Sequence, residues 1–162
     1  MIEKIEPLGP NHDRGAFSCG VKDIDEFLVA FNLDLSDPPQ RIYVGVDALG
    51  QILGYYALRP IMWEVEGRHG KIVGHLAEID LMMIGVATDL QGKGLVGPML
   101  MLDAFQKVLD VVTLIGGIER LGVGPLNNQC RKFYEDADFV PQGNTKRMSI
   151  AVREIADALA SD

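Results

Sequence analysis

Five residues near the middle of the chain, Gln91-Gly92-Lys93-Gly94-Leu95, are of the types that hold an anion. Seven apolar residues precede them, Leu81 to Ala87, and a long apolar stretch follows from Val96. A strand, a glycine-rich turn and a helix in that order bring unpaired helix N–H groups and the positive end of the helix dipole to one point. Gly92 and Gly94 let the backbone approach a phosphate with no Cβ between, and Lys93 adds charge. The same five residues also suit a plain strand-to-helix connection, because glycines serve tight turns whether or not anything binds there. Taken alone, the turn leaves both readings open. Its spacing is not G-x-x-x-x-G-K-[ST], which excludes a nucleotide-triphosphatase loop. It also lacks G-x-G-x-x-G, which disfavours a dinucleotide fold.

Other chemistry-bearing residues are fewer. Glu78 and Asp80 lie just upstream of the apolar run. Asp80 shares a strand face with Met82 and Ile84, so it could act as a base through water; a solvated strand-end charge is the plainer reading. Cys19 as a nucleophile would need a nearby base, and none stands beside it, so it reads as a small buried residue before the first helix. Cys130 faces the core by its spacing. Two cysteines are too few for a disulfide framework and read as free thiols. His12, His69 and His75 share no metal-ligand spacing with each other or with the cysteines, so no metal is expected. Trp63, Tyr55 and Tyr56 either line an acceptor site or pack in the interior.

The elements that must position these residues follow from periodicity. Residues 2 to 8 suit an edge strand. Val21, Ile24, Phe27, Leu28, Phe31 and Leu35 recur at helical spacing, which predicts a helix from about 22 to 35, ended by Asp37-Pro38-Pro39. Arg41 to Asp47 and Ile52 to Arg59 read as an antiparallel hairpin about Leu49-Gly50-Gln51. Residues 60 to 76, broken by Gly67, Gly70 and Gly74, read as a loop with at most a short strand. Leu81 to Ala87 reads as a central strand buried on both faces. From Val96 to Val112 the only polar residues are Asp103, Gln106, Lys107 and Asp110, one narrow stripe, so that helix is expected to be largely buried, with Pro98 in its first turn. A strand over Gly117–Val123 and a helix over Pro125–Ala137 come next, the helix with Leu126, Cys130, Phe133 and Ala137 on one face. A strand start at Val140, an alternating strand over Lys146–Val152 and a short helix over Arg153–Leu159 complete the chain. This order predicts an α/β fold, a mixed central sheet flanked by helices.

Length and composition narrow the classes. The chain has 162 residues, 48% hydrophobic and 23% charged, which suits a single domain over residues 1–162. No apolar run reaches the roughly 18 residues that would cross a bilayer. Met1-Ile2-Glu3-Lys4-Ile5-Glu6 shows no signal-peptide pattern, so a cytoplasmic protein with no membrane partner is expected. A net charge of -8 fits a cationic small substrate or a basic protein partner better than broad nucleic-acid binding, for which only a local patch would serve.

Two segments together resemble one family. Val86 to Leu100, VATDLQGKGLVGPML, is similar to the coenzyme A-binding motif of the GNAT acetyltransferases, Gln/Arg-x-x-Gly-x-Gly/Ala, at Gln91 and Gly94. Val96 stands where the family prefers a small residue, and the crowding it brings is expected to be relieved by Gly97. Asn127 to Phe139, NNQCRKFYEDADF, resembles the family's late helix at Asn127, Phe133, Tyr134, Glu135 and Phe139. Cys130 replaces an alanine and Asp138 a glycine; aspartate tolerates the left-handed conformation that glycine would take. Phe17-Ser18-Cys19-Gly20 with Asp25-x-Phe27-Leu28, Tyr43-Val44 and Gly54-Tyr55-Tyr56-Ala57-Leu58 resemble GNAT toxins of bacterial toxin–antitoxin modules, which acetylate the α-amine of aminoacyl-tRNA. The toxins' Leu-Gly-Arg-Leu-Ala-Val strand stands here as Met82-Met83-Ile84-Gly85-Val86, without its arginine.

The resemblance implies an N-acetyltransferase that takes acetyl-CoA as acyl donor. It implies a donor site made of Ile84, Val86, Gln91, Gly92, Lys93, Gly94, Leu95, Val96 and Asn127. It further implies direct attack by a neutral amine, polarisation of the thioester by the Val86 N–H, and Tyr134 as the acid for the departing thiolate. Phe133, beside it, is expected to be the more buried of the two. The family's strand carboxylate is replaced by Met82 and Met83. A missing base matters less for an α-amine, with pKa about 7.7–8.0, than for a lysine at about 10.4. An antitoxin partner and a homodimer are implied by the resemblance alone. Two alternatives stand beside the aminoacyl-tRNA reading: an acetyltransferase for a small cationic amine, and a coenzyme A-binding protein without turnover.

Overall fold

The computed structural model describes residues 1–34, 36 and 39–160. Its elements run β1 (Lys4–Pro7), α1 (Lys22–Ala30), β2 (Arg41–Val46), β3 (Ile52–Glu66), β4 (Ile72–Val86), α2 (Val96–Ile115), β5 (Ile118–Val123), α3 (Asn128–Glu135), β6 (Val140–Pro141), β7 (Met148–Ala151) and α4 (Val152–Ala160). Single 3-10 turns stand at Arg68–Gly70 and Thr88–Leu90. The hydrogen-bonded strand order is β1-β2-β3-β4-β5-β7-β6. β4 and β5 pair in parallel, while β1–β2, β2–β3, β5–β7 and β6–β7 are antiparallel, so the sheet is mixed and helices flank it, as the element order predicts. The ladder between β4 and β5 ends at the Leu81–Val123 pair.

The chain divides into two compact units, Met1–Leu58 with Met82–Ala104 and Arg59–Leu81 with Phe105–Asp162. In the first, Phe17, Cys19, Ile24, Leu28, Ile42, Val44, Val46, Ile52, Tyr55 and Ala57 form one buried apolar cluster, with Met82 and Met83 packed on it. These side chains leave water because the alternation of β2 and the helical stripe of α1 each present one apolar face. The second unit buries Phe105, Leu121, Val123, Tyr134, Phe139, Met148, Ile150 and Ile155.

Several expectations are corrected. The helix predicted to about residue 35 ends at Ala30, and Phe31 is already extended. Arg14 takes the freed carbonyls, its Nη1 donating to Phe31 O at 2.6 Å and Leu28 O at 3.4 Å, while the Asn32 side chain accepts from Asp34 N and turns the chain away. Leu35, and Asp37 and Pro38 of the predicted terminator, lie outside the described residues. Residues 60 to 76 are not a loop: they carry the distal half of β3, the turn at Arg68–Gly70 and the start of β4. Gly67 and Gly70 serve that turn, where Gly67 N donates to Lys71 O at 2.7 Å. The flanking Met62, Trp63, Val65, Ile72 and Val73 are strand formers left exposed, so the charges among them masked the pattern.

Burial also differs. In the run Leu81–Ala87 only Leu81 and Gly85 are buried; the deepest part of β4 is Glu78–Leu81. α2 extends to Ile115 and is half-buried, with Met99, Leu102, Leu114 and Ile115 exposed. α3 begins at Asn128, not Pro125, because Asn127 supplies a side-chain cap, its Oδ1 accepting from Cys130 N at 2.8 Å. Leu126 is exposed and Cys130 only half-buried. Val152 belongs to α4, and Met148, Ser149 and Ile150 are all buried, so β7 is covered on both faces.

Candidate functional site

In the first unit, the turn after β4 is held from inside. The Gln91 side chain donates through Nε2 to Val86 O and to Cys19 O, each at 2.8 Å, so both amide hydrogens are used by backbone carbonyls. Ala87 N donates to Leu53 O, Leu90 N to Ala87 O, and Thr88 N to Ser18 O. These bonds fix the start of the turn without occupying its outer side. Gly92 and Gly94 adopt φ of +70° and +66°, and a Cβ built on either would meet nothing within 4 Å. The glycines are therefore needed for their left-handed backbone, and the space beside them is open. Lys93 and Leu95 are exposed, and α2 starts at Val96. An open, left-handed, side-chain-free turn with one lysine at a helix start fits a pyrophosphate. A cavity of about 280 Å³ adjoins it, lined by Met1, Ile2, Leu90, Lys93, Leu95, Val96 and Met99.

Val96 packs against a glycine of β3. It is 4% exposed, and its Cγ1 would lie 3.0 Å from a Cβ at Gly54 of β3. The same Cβ would lie 2.8 Å from Gly85 O and from Leu100. The missing side chain at Gly54 makes room for the valine. Ile84 and Val86 are half-buried on the strand leading into the turn. Tyr55 and Tyr56 do not line an acceptor site. Both are fully buried, the Tyr55 hydroxyl donating to Ile24 O at 2.6 Å and the Tyr56 hydroxyl to Asp103. Cys19 is buried, and burial pushes its thiol up to about 11, which suits an inert packing residue.

The second unit holds Tyr134. It is 5% exposed and Phe133 is half-buried, the reverse of the expected order. Its ring meets Phe133 at 5.4 Å and Phe139 at 5.5 Å between centroids. Asp138 takes φ of +65°, as its replacement of a glycine predicts, and lets Phe139 N return to Tyr134 O at 3.0 Å. Burial raises the Tyr134 pKa above the ordinary phenol value, with Cys130 and Asp80 adding to it. Asn127, for its part, spends its side-chain oxygen on the helix cap.

Sequence spacing did not disclose the fate of Glu78 and Asp80. Neither is a solvated strand-end charge: Glu78 is fully buried and Asp80 is 3% exposed. Glu78 accepts from Arg147 Nη2 at 2.8 Å, Arg120 Nε at 2.5 Å and Gln142 Nε2 at 3.2 Å. Asp80 accepts from Arg147 Nη2 at 2.8 Å on one oxygen and from Arg59 Nε at 3.0 Å on the other. Gly122 makes the room, since a Cβ there would sit 1.9 Å from Glu78 Oε1. Arg147 also lies over the Trp63 ring, 5.4 Å from its centroid. Two acids alternating with Ile79 and Leu81 on an apolar strand were the available signal, because a buried carboxylate requires a cation. The partners come from residues 59, 120 and 147, too far apart in sequence for spacing to reveal.

No protein-family model matches the chain. A probable toxin TacT of Sinorhizobium fredii (strain NBRC 101917 / NGR234) is 31% identical over 121 residues, covering 69% of this chain and 66% of the relative, about two thirds of its length. A solved structure of an AtaT mutant toxin bound to the C-terminus of the antitoxin AtaR and acetyl-CoA matches with a TM-score of 0.80 at 23% identity, covering 98% of each chain. The chain has the GNAT fold of these toxins. A further structure with the same fold, AtaT complexed with acetyl-methionyl-tRNAfMet, matches with a TM-score of 0.79 at 23% identity, covering 96% of this chain and 98% of that one. Within this GNAT frame, Gln91–Leu95 forms the β4–α2 turn, and Asn127–Phe139 spans the cap of α3, the helix and the turn beyond it.

Proposed function

We propose that this chain moves an acetyl group from acetyl-CoA to an amine, and that the amine is the α-amine of aminoacyl-tRNA. The observation that carries the donor half is the turn itself: Gly92 and Gly94 left-handed and open beside the start of α2, with Gln91 bracing them from within. Ile84, Val86, Gln91, Gly92, Lys93, Gly94, Leu95, Val96 and Asn127 make up the proposed donor site. The acceptor half is supported by the likeness to toxins, one of them complexed with acetyl-methionyl-tRNAfMet.

In the proposed reaction the neutral amine attacks the thioester carbonyl, a C–N bond forms and the C–S bond breaks. The Val86 N–H donates to the oxygen that gains charge, and Tyr134 gives its proton to the departing thiolate while solvent takes the proton lost by the amine. Met82 and Met83 offer no base, and both Asp80 oxygens already accept from guanidiniums. That composition suits an amine of low pKa, such as an aminoacyl α-amine, over a protein lysine.

A small cationic amine is the second reading, favoured by the net charge of -8. An antitoxin partner, a homodimer and a cytoplasmic location belong to the toxin reading; among the described residues no helix is long and apolar enough to cross a membrane. The test is incubation of the purified protein with acetyl-CoA and charged tRNA, followed by the mass of the aminoacyl-adenosine released by nuclease. A gain of one acetyl group is expected. Release of free coenzyme A with polyamines but no change in the tRNA would establish the second reading instead, and acetyl-CoA binding with no thiol release from any amine would leave a protein without turnover.

A further inference from the structure

The Phe17-Ser18-Cys19-Gly20 segment has no role in the chemistry above, yet it touches the donor turn at three points. Ser18 O accepts from both Thr88 N and Thr88 Oγ1, each at 3.0 Å, and Cys19 O accepts from Gln91 Nε2 at 2.8 Å. On its other side Asp25 of α1 holds the segment with both carboxylate oxygens. One Asp25 oxygen accepts from Cys19 N at 2.8 Å and the other from the Ser18 hydroxyl at 2.8 Å. Gly20 N donates back to Ser18 Oγ at 3.3 Å and closes the loop.

These contacts are linked covalently, because Ser18 C=O and Cys19 N–H belong to one peptide unit. Asp25 accepts from the N–H end of that unit, and Thr88 donates twice to its carbonyl end. A carboxylate accepting from a peptide N–H strengthens the opposite carbonyl as an acceptor, and the planar amide transmits the orientation. The next carbonyl, that of Cys19, is therefore also fixed, and it is the one that engages Gln91. From Gln91 the second amide hydrogen reaches Val86 O, at the end of the strand proposed to face the thioester. Burial raises the Asp25 pKa, but its bonds from Cys19 and Ser18 outweigh this and hold it below the ordinary value, so the carboxylate is ionised at neutral pH.

We propose that Asp25 is a positioning residue for the acyl donor: through the Ser18–Cys19 peptides it holds Thr88 and Gln91, and so sets the turn that receives acetyl-CoA. The proposal rests on the donor-site reading. It assigns to Asp25 an effect on the acyl donor alone, made from a helix that supplies no residue to the proposed donor site.

The experiment has two readouts on the full chain. Amide hydrogen exchange is followed without ligand, and acetyl-CoA affinity is measured by calorimetry, for wild type, Asp25→Ala, Asp25→Asn and Ser18→Ala. Losing two hydrogen bonds to a charged group should weaken acetyl-CoA binding about tenfold in Asp25→Ala. Exchange should quicken across residues 87–95 while the amides of β2 and α2 keep their protection. Asp25→Asn, whose carbonyl oxygen still accepts from Cys19 N, should restore most of both. Ser18→Ala removes the hydroxyl's bonds with Asp25 and Gly20 N but keeps the bond from Cys19 N to Asp25 and leaves every residue of α1 in place, and should show a smaller loss with an unchanged Tm. In turnover the loss should fall on KM for acetyl-CoA, leaving KM for the acceptor unchanged. Unaltered exchange in the turn and unaltered affinity in both Asp25→Ala and Ser18→Ala would overturn the inference and leave the donor site standing. A wild-type protein that does not bind acetyl-CoA would overturn the donor-site reading, and this inference with it.

Discussion

Tyr134 is the residue on which the proposed chemistry turns. Its burial keeps the phenol protonated well beyond neutral pH, which a proton donor to a thiolate requires. Tyr134→Phe retains the ring contacts with Phe133 and Phe139, so the Tm should barely move. The acetylation rate should fall by on the order of 100- to 10,000-fold, the usual worth of a positioned acid, read by release of free coenzyme A. The pH profile is a separate check. The acceptor amine must lose a proton, and the tyrosine loses its own only above its ordinary pKa of about 10. The rate should therefore rise with pH through about 7.7–8.0, the range of an α-amine, and hold a plateau to beyond pH 9. A rise displaced towards the lysine value would argue for another acceptor. Cys19, pushed up to about 11, should resist alkylation at pH 8.

At the scale of elements, two absent side chains govern packing. Gly54 lets Val96 and Leu100 of α2 lie against β3 beside Gly85 O. Gly54→Ala puts a Cβ 2.8 Å from that carbonyl, and backbone cannot swing aside as a side-chain tip can. A loss of about 1–3 kcal/mol is expected from overpacking, measured by denaturant unfolding. Gly122 has the matching role over Glu78. Glu78→Ala would leave the Arg120 and Arg147 guanidiniums without their shared partner. The expected cost is about 3 kcal/mol, at the low end for a broken buried pair because both arginines are partly exposed. Glu78→Gln, which still accepts, should cost less. Neither change touches the proposed donor turn, so acetyl-CoA affinity measured below the transition should stay near wild type.

Charge dominates the behaviour of the whole molecule. At -8, the chain repels a polyanion unless local cations meet it. This separates the two acceptor readings. A tRNA held through several of its phosphates should show a KM rising steeply with salt, by about 0.7 in log–log slope for each single-stranded phosphate neutralised. A small amine with one or two charges should show a shallow response under the same conditions. Steady-state kinetics between low and moderate salt, with charged tRNA and with a polyamine, would read both slopes.

The mixed sheet and the turn at Gln91 follow from the sequence through local rules, and the left-handed Asp138 from its place in the resemblance, where the family has a glycine. Periodicity, glycine conformation and helix termini act over a few residues, and a few residues are what a sequence displays directly. The ribbon over residues 60–76 was hidden because both of its strands leave apolar side chains exposed among charges, so alternation carried no burial signal. Tertiary structure alone decided the rest. Gly54 receives Val96, Tyr134 rather than Phe133 is the deeper ring, and Glu78 and Asp80 are buried against Arg59, Arg120 and Arg147. The Asp25 relay to Gln91 spans residues 18 to 91. Apart from the Tyr134 ring, which meets its near neighbours Phe133 and Phe139, these are meetings of groups far apart along the chain. Their energies depend on distance and on exclusion of water, and neither is set until the chain has folded.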